Sequence, residues 1–294
     1  NTDGSLDSNF GTNGKVITSV KNDDNIYDIV IQSDGKIVVG GIANDSGAEN
    51  FCLVRYNSDG SLDTDFGSSG KVITDIDSSD DAIRALALQS DGKIVAVGTA
   101  KMTSDGSKHS LAVLRYNTNG TLDTSFDSDG KFTKRVGTYS FGWDVAIQSD
   151  GKIIAVGEAG QGGVSDLLLI RLNTNGTLDT SFDSDGVVTA NTVNQESFQG
   201  IAIQPDGKIV VTGYIHSSNF RVCTYRFNSN GSLDSGFGSS GVVYSNIGSN
   251  DDDFTSSLLV TDNGGIYLGA YTRQSTYDYD PAIVFYTSSG ALDS

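Results

Sequence analysis

The sequence holds little of what most catalytic or metal-binding chains rely on. Its 294 residues include 2 Cys, 2 His, 1 Met, 1 Trp and 2 Pro. Two thiols, Cys52 and Cys223, cannot build a disulfide framework, and with His109 and His216 they show no zinc-ligand spacing. Basic residues are scarce: 19 Lys and Arg face 37 Asp and Glu, a net charge of -18. Nucleic acid and anionic membrane surfaces are therefore excluded as partners, because both require cationic groups that displace counterions. No apolar run approaches the length of a membrane-spanning helix. No helical period is visible, and no glycine-rich loop opens a helix. The chain begins at Asn1 without a basic-then-apolar leader, so residues 1–294 are expected to be a single domain excised from a larger secreted protein.

What the sequence has is repetition. A linker recurs five times: DGSLDSNFGTNGKV from Asp3, DGSLDTDFGSSGKV from Asp59, NGTLDTSFDSDGKF from Asn119, NGTLDTSFDSDGVV from Asn175 and NGSLDSGFGSSGVV from Asn230. A turn follows each: QSDGKIVVG from Gln32, QSDGKIVAVG from Gln89, QSDGKIIAVG from Gln148, QPDGKIVVTG from Gln204, and a decayed TDNGGIYLG from Thr261. An apolar run then carries Arg55, Arg115, Arg171 or Arg226, with Phe285 at that place in the last copy. The linker leucine recurs every 55 to 60 residues.

Each unit reads as four β-branched or alternating strands bounded by turn residues, as in Lys71 to Ile76, Ala82 to Gln89, Lys93 to Ala100 and Ser110 to Asn117. Asp-Gly between the second and third strands predicts a tight hairpin with both central residues at positive φ. The expected fold is all-β, a five-bladed β-propeller with four antiparallel strands per blade, at 3–58, 59–118, 119–174, 175–229 and 230–294. The motif Tyr-Asn-x-Asp-Gly-x-Leu-Asp-x-x-Phe-Gly-x-x-Gly, followed by Gln-x-Asp-Gly-Lys-Ile-Val, resembles the bacterial delta-sixty repeat. That resemblance implies a propeller of secreted or surface-attached bacterial proteins, and it carries no catalytic residue to transfer.

Five equivalent positions can hardly form one active site, so the repeated residues read as structural. The linker Leu and Phe are expected to wedge between blades, and Arg55 and its equivalents to pair with a linker Asp such as Asp7 or Asp63. Cys52 and Cys223 share a column with Ala112, Leu168 and Ala282, which makes them buried hydrophobes. Asn57, Asp59, Gly60 and Asp63 imitate part of an EF-hand loop, but Arg55 and Phe66 stand where its first and last ligands belong. No cofactor, metal or catalytic residue is assigned; structural Ca²⁺ at the loops or at the acidic clusters near Asp24, Asp81 and Asp252 is the weaker reading.

Function is sought where the units differ. Five positions before the end of strand two lie Tyr27, Arg84, Trp143, Gln199 and Ser256, a mixed column where a core column would stay apolar. Tyr139, Phe141, Phe198, Phe254, Tyr271, Tyr277 and Tyr279 fall nearby. The candidate ligand-binding set is Tyr27, Arg84, Trp143, Gln199, Tyr139, Tyr277 and Tyr279, suited to stacking on a sugar or anchoring a protein. Three functions stay open. A non-catalytic binding or adhesion module, extracellular or at the bacterial cell surface and monomeric within its parent polypeptide, is favoured. A carbohydrate-active enzyme is second, and a structural spacer third.

Overall fold

The computed structural model describes residues 1–45, 47–161, 163–190, 194–217, 219–248, 252–275 and 278–292. They fall into two compact units, Asn1–Lys134 and Arg135–Ser294. The first unit carries β1 (Asp23–Ile31), β2 (Ile37–Asp45), β3 (Ala48–Tyr56) and β4 (Lys71–Thr74) in one sheet, and β5 (Asp81–Leu88), β6 (Ile94–Met102), β7 (Lys108–Tyr116) and β8 (Lys131–Lys134) in a second. The second unit carries β9 (Tyr139–Ile147), β10 (Ile153–Gln161), β11 (Val164–Leu172) and β12 (Val187–Ala190), then β13 (Gln195–Ile203), β14 (Ile209–His216), β15 (Phe220–Phe227) and β16 (Val242–Ser245). A three-stranded sheet of β17 (Asp252–Val260), β18 (Ile266–Ser275) and β19 (Asp278–Tyr286) follows. Every pairing inside these sheets is antiparallel.

The sheets are out of phase with the expected blades. The short strand after each linker was expected to open the next blade, but it pairs with the strand before the linker, as in Phe51↔Thr74 through Val54↔Lys71. The cause is that the linker folds back on itself. Asp63 donates its backbone N–H to Arg55 O at 3.0 Å, Arg55 donates to Gly70 O at 2.9 Å, and Tyr56 bridges Leu62. This return also modifies the expectation for the linker leucines: Leu62, Leu122, Leu178, Leu233 and Leu292 bridge their own strand, and while Leu62 and Leu122 pack partly buried against the core, Leu233 and Leu292 remain exposed. The phenylalanines do wedge. Phe66 is fully buried among Leu53, Ile83 and Leu114 of the first two sheets, and Phe182 and Phe237 are buried likewise in the second unit. Each contributes about 1.5–3 kcal/mol of apolar burial.

The Asp-Gly hairpins also differ from expectation. Gln32 N donates to Lys36 O at 2.8 Å and Gly35 N to Gln32 O at 2.9 Å, so Ser33-Asp34-Gly35 form a three-residue loop in which only the glycine, at φ 82°, is left-handed. Both cysteines are free and buried, and burial raises the Cys52 thiol to about 12.

One polar assembly recurs four times. Arg55 Nε donates to Asp63 Oδ2 at 2.7 Å, and Arg115 with Asp123, Arg171 with Asp179 and Arg226 with Asp234 repeat the pair at 2.8 Å. Each guanidinium lies 4.4–4.6 Å from the ring centroid of the linker phenylalanine. The turn lysine reaches the same carboxylate, Lys36 at 2.9 Å and Lys152 at 2.9 Å, and the turn glutamine accepts from the guanidinium, as Gln32 does at 3.3 Å. Arg55 also donates to Thr118 O, Arg171 to Ser229 O and Arg226 to Ser288 O, tying each repeat to the next. Ser125 and the Arg115 and Lys93 charges outweigh the upward push of burial and hold Asp123 at about 2; Asp63, Asp179 and Asp234 are also lowered. In the last sheet these partners are lost together: Phe285 replaces Arg, its ring 4.4 Å from that of Tyr267, and Gly265 replaces Lys.

Arg115→Ala strands the buried Asp123 carboxylate and is expected to lower the unfolding free energy by about 3 kcal/mol, read from denaturant midpoints. An unchanged midpoint would show that solvent, not Asp123, satisfies the guanidinium. Acid sensitivity follows from the same carboxylates. Their folded pKa values lie below the unfolded value of about 3.9, so this stabilisation is complete above it and lost as pH falls toward about 2. Denaturant titrations below pH ~4 should show stability declining with acid; a flat profile would contradict the assembly's role.

Candidate functional site

The mixed column picked out in the sequence is a column of β-bulges. The ladder between the first two strands of each sheet skips one residue: Tyr27 between Ile26 and Asp28, Arg84 between Ile83 and Ala85, Trp143 between Gly142 and Asp144, Gln199 between Phe198 and Gly200, and Ser256 between Thr255 and Ser257. An extra residue in one strand kinks it and re-aims that side chain. The bulge fits because the facing strand offers a glycine in four sheets. A Cβ on Gly98 would sit 1.9 Å from Ala82 O, and one on Gly157 would sit 1.9 Å from Phe141 O, so any side chain would expel the bulged strand.

In the first unit the Arg84 guanidinium lies 4.5 Å from the centroid of the Tyr27 ring, which is exposed. In the second unit Tyr139, Phe141 and Trp143 form a row with centroids 5.2 and 6.2 Å apart. The Trp143 indole donates to Glu158 Oε1 at 3.3 Å, and the Tyr139 hydroxyl lies 2.8 Å from Ser165 Oγ. Burial raises the Glu158 carboxyl above the ordinary glutamate range, against hydrogen bonds from Trp143, Ser165 and Ser197. Asp144, the next residue, accepts Val145 N at 2.7 Å and Ile201 N at 2.9 Å.

A second aromatic row crosses the last two sheets. His216 stacks on Phe220 at 4.4 Å, Phe220 on Phe254 at 4.9 Å, Phe254 on Tyr271 at 5.1 Å, and Tyr271 meets Tyr279 edge-on at 5.7 Å. Tyr214 joins the row, 5.1 Å from Phe254. Tyr271 and Tyr279 are exposed. Of the candidates, the structure thus brings Tyr27 to Arg84 and Tyr139 to Trp143, and sets Tyr279 against Tyr271. Gln199 occupies its bulge half-buried, and Tyr277 lies outside the described residues. Phe198 is a correction: it is fully buried against Tyr225 and belongs to the core. Glu158, Tyr214 and Phe220 were not singled out in the sequence, although an acid inside the apolar run of β10 was a signal for the first.

The acidic clusters have local work to do. Asp24 accepts Val20 N at 2.8 Å, Asp81 accepts Ile76 N at 2.8 Å and Asp253 accepts Ile247 N at 2.7 Å, each closing the loop that enters its sheet. Asp59 accepts both the N–H and the hydroxyl of Ser61. On the Asp-Gly side, a recess of about 700 Å³ is lined by Gln32, Lys36, Arg55, Gln89 and Thr118, and one of about 360 Å³ by Gln204, Lys208, Arg226 and Gly264. The arginines and lysines in them are those of the repeated assembly, already engaged with Asp63 or Asp234.

Residues 32–66, 89–126, 148–182 and 204–237 match a family described as a domain of unknown function (DUF5122) beta-propeller. Among curated proteins, no sequence matches this chain. The structure is similar to a protein of unknown function from Dyadobacter fermentans DSM 18053, at 14% identity and a TM-score of 0.50, covering 90% of this chain and 79% of that one. It is also similar to an ulvan lyase from a new polysaccharide lyase family, at 12% identity and a TM-score of 0.55, covering 90% and 68%. At these identities the likeness is one of fold.

Trp143 is the sole tryptophan, so its fluorescence reports on Glu158. Emission should titrate with a midpoint above the usual glutamate value of about 4.3, and Glu158→Gln should abolish that transition. A midpoint at or below the usual value would show a solvated carboxylate.

Proposed function

We propose that this chain, four stretches of which match a β-propeller family model, is a non-catalytic binding or adhesion module acting outside the bacterial cell, with its five sheets serving as the blades of one propeller. The observation that carries this reading is the bulge column. The same backbone device in every sheet presents a different side chain, whereas the Asp-Gly side repeats one assembly. Specificity needs individual groups on a rigid frame, and strand-borne aromatics supply contact area with few rotatable bonds. Trp143, Phe141 and Tyr139 form such a surface, with Glu158 and Ser165 as polar neighbours that can orient a sugar or a peptide. The ligand class is a glycan or a protein partner.

A second reading, a carbohydrate-active enzyme, is favoured by one observation: Glu158 is a carboxyl held toward its protonated form beside an aromatic platform, the condition of a general acid. The two readings separate experimentally. Glycan-array binding by the full chain, without product release or new ultraviolet absorbance from polysaccharides, is expected. Trp143→Ala should weaken the bound glycan by about 2 kcal/mol, roughly thirtyfold, with the melting transition retained. Turnover that Glu158→Gln abolishes would establish the enzyme reading, and binding indifferent to Trp143 would place the ligand elsewhere.

A further inference from the structure

Three of the five linkers open on a tripeptide that the reading above leaves unused. Asn119-Gly120-Thr121, Asn175-Gly176-Thr177 and Asn230-Gly231-Ser232 each place a hydroxyl two residues after an asparagine, the acceptor pattern for an N-linked sugar. A fourth such tripeptide, Asn44-Asp45-Ser46, ends outside the described residues. Tripeptides of this kind are common, so the side-chain geometry has to decide.

In the three linkers the asparagine Oδ1 accepts both the backbone N–H and the hydroxyl of the Thr or Ser. The distances are 3.1 and 2.8 Å from Thr121, 3.2 and 2.8 Å from Thr177, and 3.1 and 2.8 Å from Ser232. The Nδ2 amide of the same residue, on an exposed side chain, donates to nothing among the described residues. The asparagine two positions earlier behaves differently. Asn117 uses its amide nitrogen inside the turn, on Thr121 Oγ1 at 3.0 Å and Leu122 O at 3.3 Å, and Asn173 and Asn228 do likewise.

The middle glycine sets the presentation. Gly120 is left-handed, at φ 87°, and buried, and a Cβ on it would lie 2.9 Å from Val72 Cγ2 and 3.0 Å from Phe66 Cε2. The turn thus rests its glycine on the preceding linker while Asn119 stays in solvent. Arg55 donating to Thr118 O, and Arg171 to Ser229 O, anchor the backbone one residue ahead of Asn119 and Asn230. The fold itself does not need an amide at this place. Asp3 and Asp59 occupy it in the first two linkers, and their Oδ1 atoms accept the N–H and hydroxyl of Ser5 and Ser61 at 2.9 and 2.7 Å. An oxygen suffices for the turn, and the nitrogen is surplus to it.

We propose that Asn119, Asn175 and Asn230 are acceptors for N-linked glycosylation by an activated sugar whose anomeric carbon carries a diphosphate ester. Nδ2 loses a proton to a base of the transferase and bonds to the anomeric carbon. The bond from that carbon to the diphosphate oxygen breaks, and the nucleoside or polyprenyl diphosphate leaves with the electron pair. Asn119 also lines the recess of about 700 Å³, so its sugar stands at the rim of the Asp-Gly side. The modification is independent of whether the Trp143 surface binds a ligand.

The test is co-expression of the full chain with a soluble N-glycosyltransferase and its nucleotide sugar, or with an oligosaccharyltransferase and its polyprenyl-diphosphate glycan. Peptide mass mapping reads site occupancy, and circular dichroism reads the fold. Sugar on all three asparagines of the folded chain is expected in at least one arm, which identifies the donor. Thr121→Val should lower occupancy at Asn119 at least about tenfold, whereas Thr121→Ser should retain it. Asp59→Asn completes an Asn-Gly-Ser tripeptide and should add a further site. Asn119→Asp should remove one site and leave the melting midpoint unchanged, because Asp59 already makes the same bonds in its own turn. The proposal is overturned by bare or merely deamidated asparagines in both arms while a reference acceptor peptide is modified, by sugar on misfolded chain alone, or by occupancy at Asn119 indifferent to Thr121→Val.

Discussion

A single carboxylate, repeated at Asp63, Asp123, Asp179 and Asp234, organises most of what recurs in this molecule. Placed almost out of solvent at the mouth of the linker, it must be compensated, because an uncompensated buried charge costs several kcal/mol. The compensation draws on three separate parts of each repeat: the arginine of the third strand, the lysine of the turn and a serine or backbone N–H of the linker itself. The arginine in turn stacks on the linker phenylalanine and donates to the turn glutamine and to a carbonyl of the next repeat. Motifs scattered over some thirty residues of sequence are thus one cluster in space.

The dependence runs in one direction. Where arginine gives way to Phe285, the lysine and the glutamine have gone too, replaced by Gly265 and Thr261, and an aromatic pair fills the volume instead. A lysine left there alone would have no function, and an arginine alone would be a buried cation without its glutamine. The polar assembly therefore behaves as a unit, whereas the bulge column is free to vary. In four of the sheets its backbone requirement is met by the facing glycine, which leaves the bulged side chain free to differ. Tyr27, Arg84, Trp143, Gln199 and Ser256 share a conformation and nothing else.

That separation explains what the sequence made legible. Repeat number, strand content, buried cysteines and the Arg–Asp pairing follow from columns of like residues, and the five bulge residues stood out because their column was unlike any core column. The phase of the sheets did not, because Lys-Val-Ile-Thr is an equally good strand whether it pairs backward or forward. Only the linker's return, through Tyr56↔Leu62 and Arg55 to Gly70, decides it. Glu158 was hidden for a different reason: its meaning comes from Trp143, fifteen residues away and brought to it across the β9–β10 ladder.

The same ladder bears on whether the Trp143 surface binds or reacts. Glycoside cleavage by paired carboxyls needs a second carboxylate about 5–10 Å from the first with an oxygen available to the sugar or to water. Asp144 adjoins Trp143 in sequence, but one of its oxygens accepts Val145 N and the other accepts Ile201 N of the following sheet. Asp28 occupies the equivalent place in the first unit and accepts Leu86 N at 2.6 Å. The acid after the bulge is thus a stitch between consecutive sheets. Recruiting it as nucleophile or base would break that stitch and leave a backbone donor unpaired, a cost of about 1–3 kcal/mol. With Asp144 so engaged, Glu158 is better suited to donating one hydrogen bond to a bound ligand than to sharing a reaction with a partner acid.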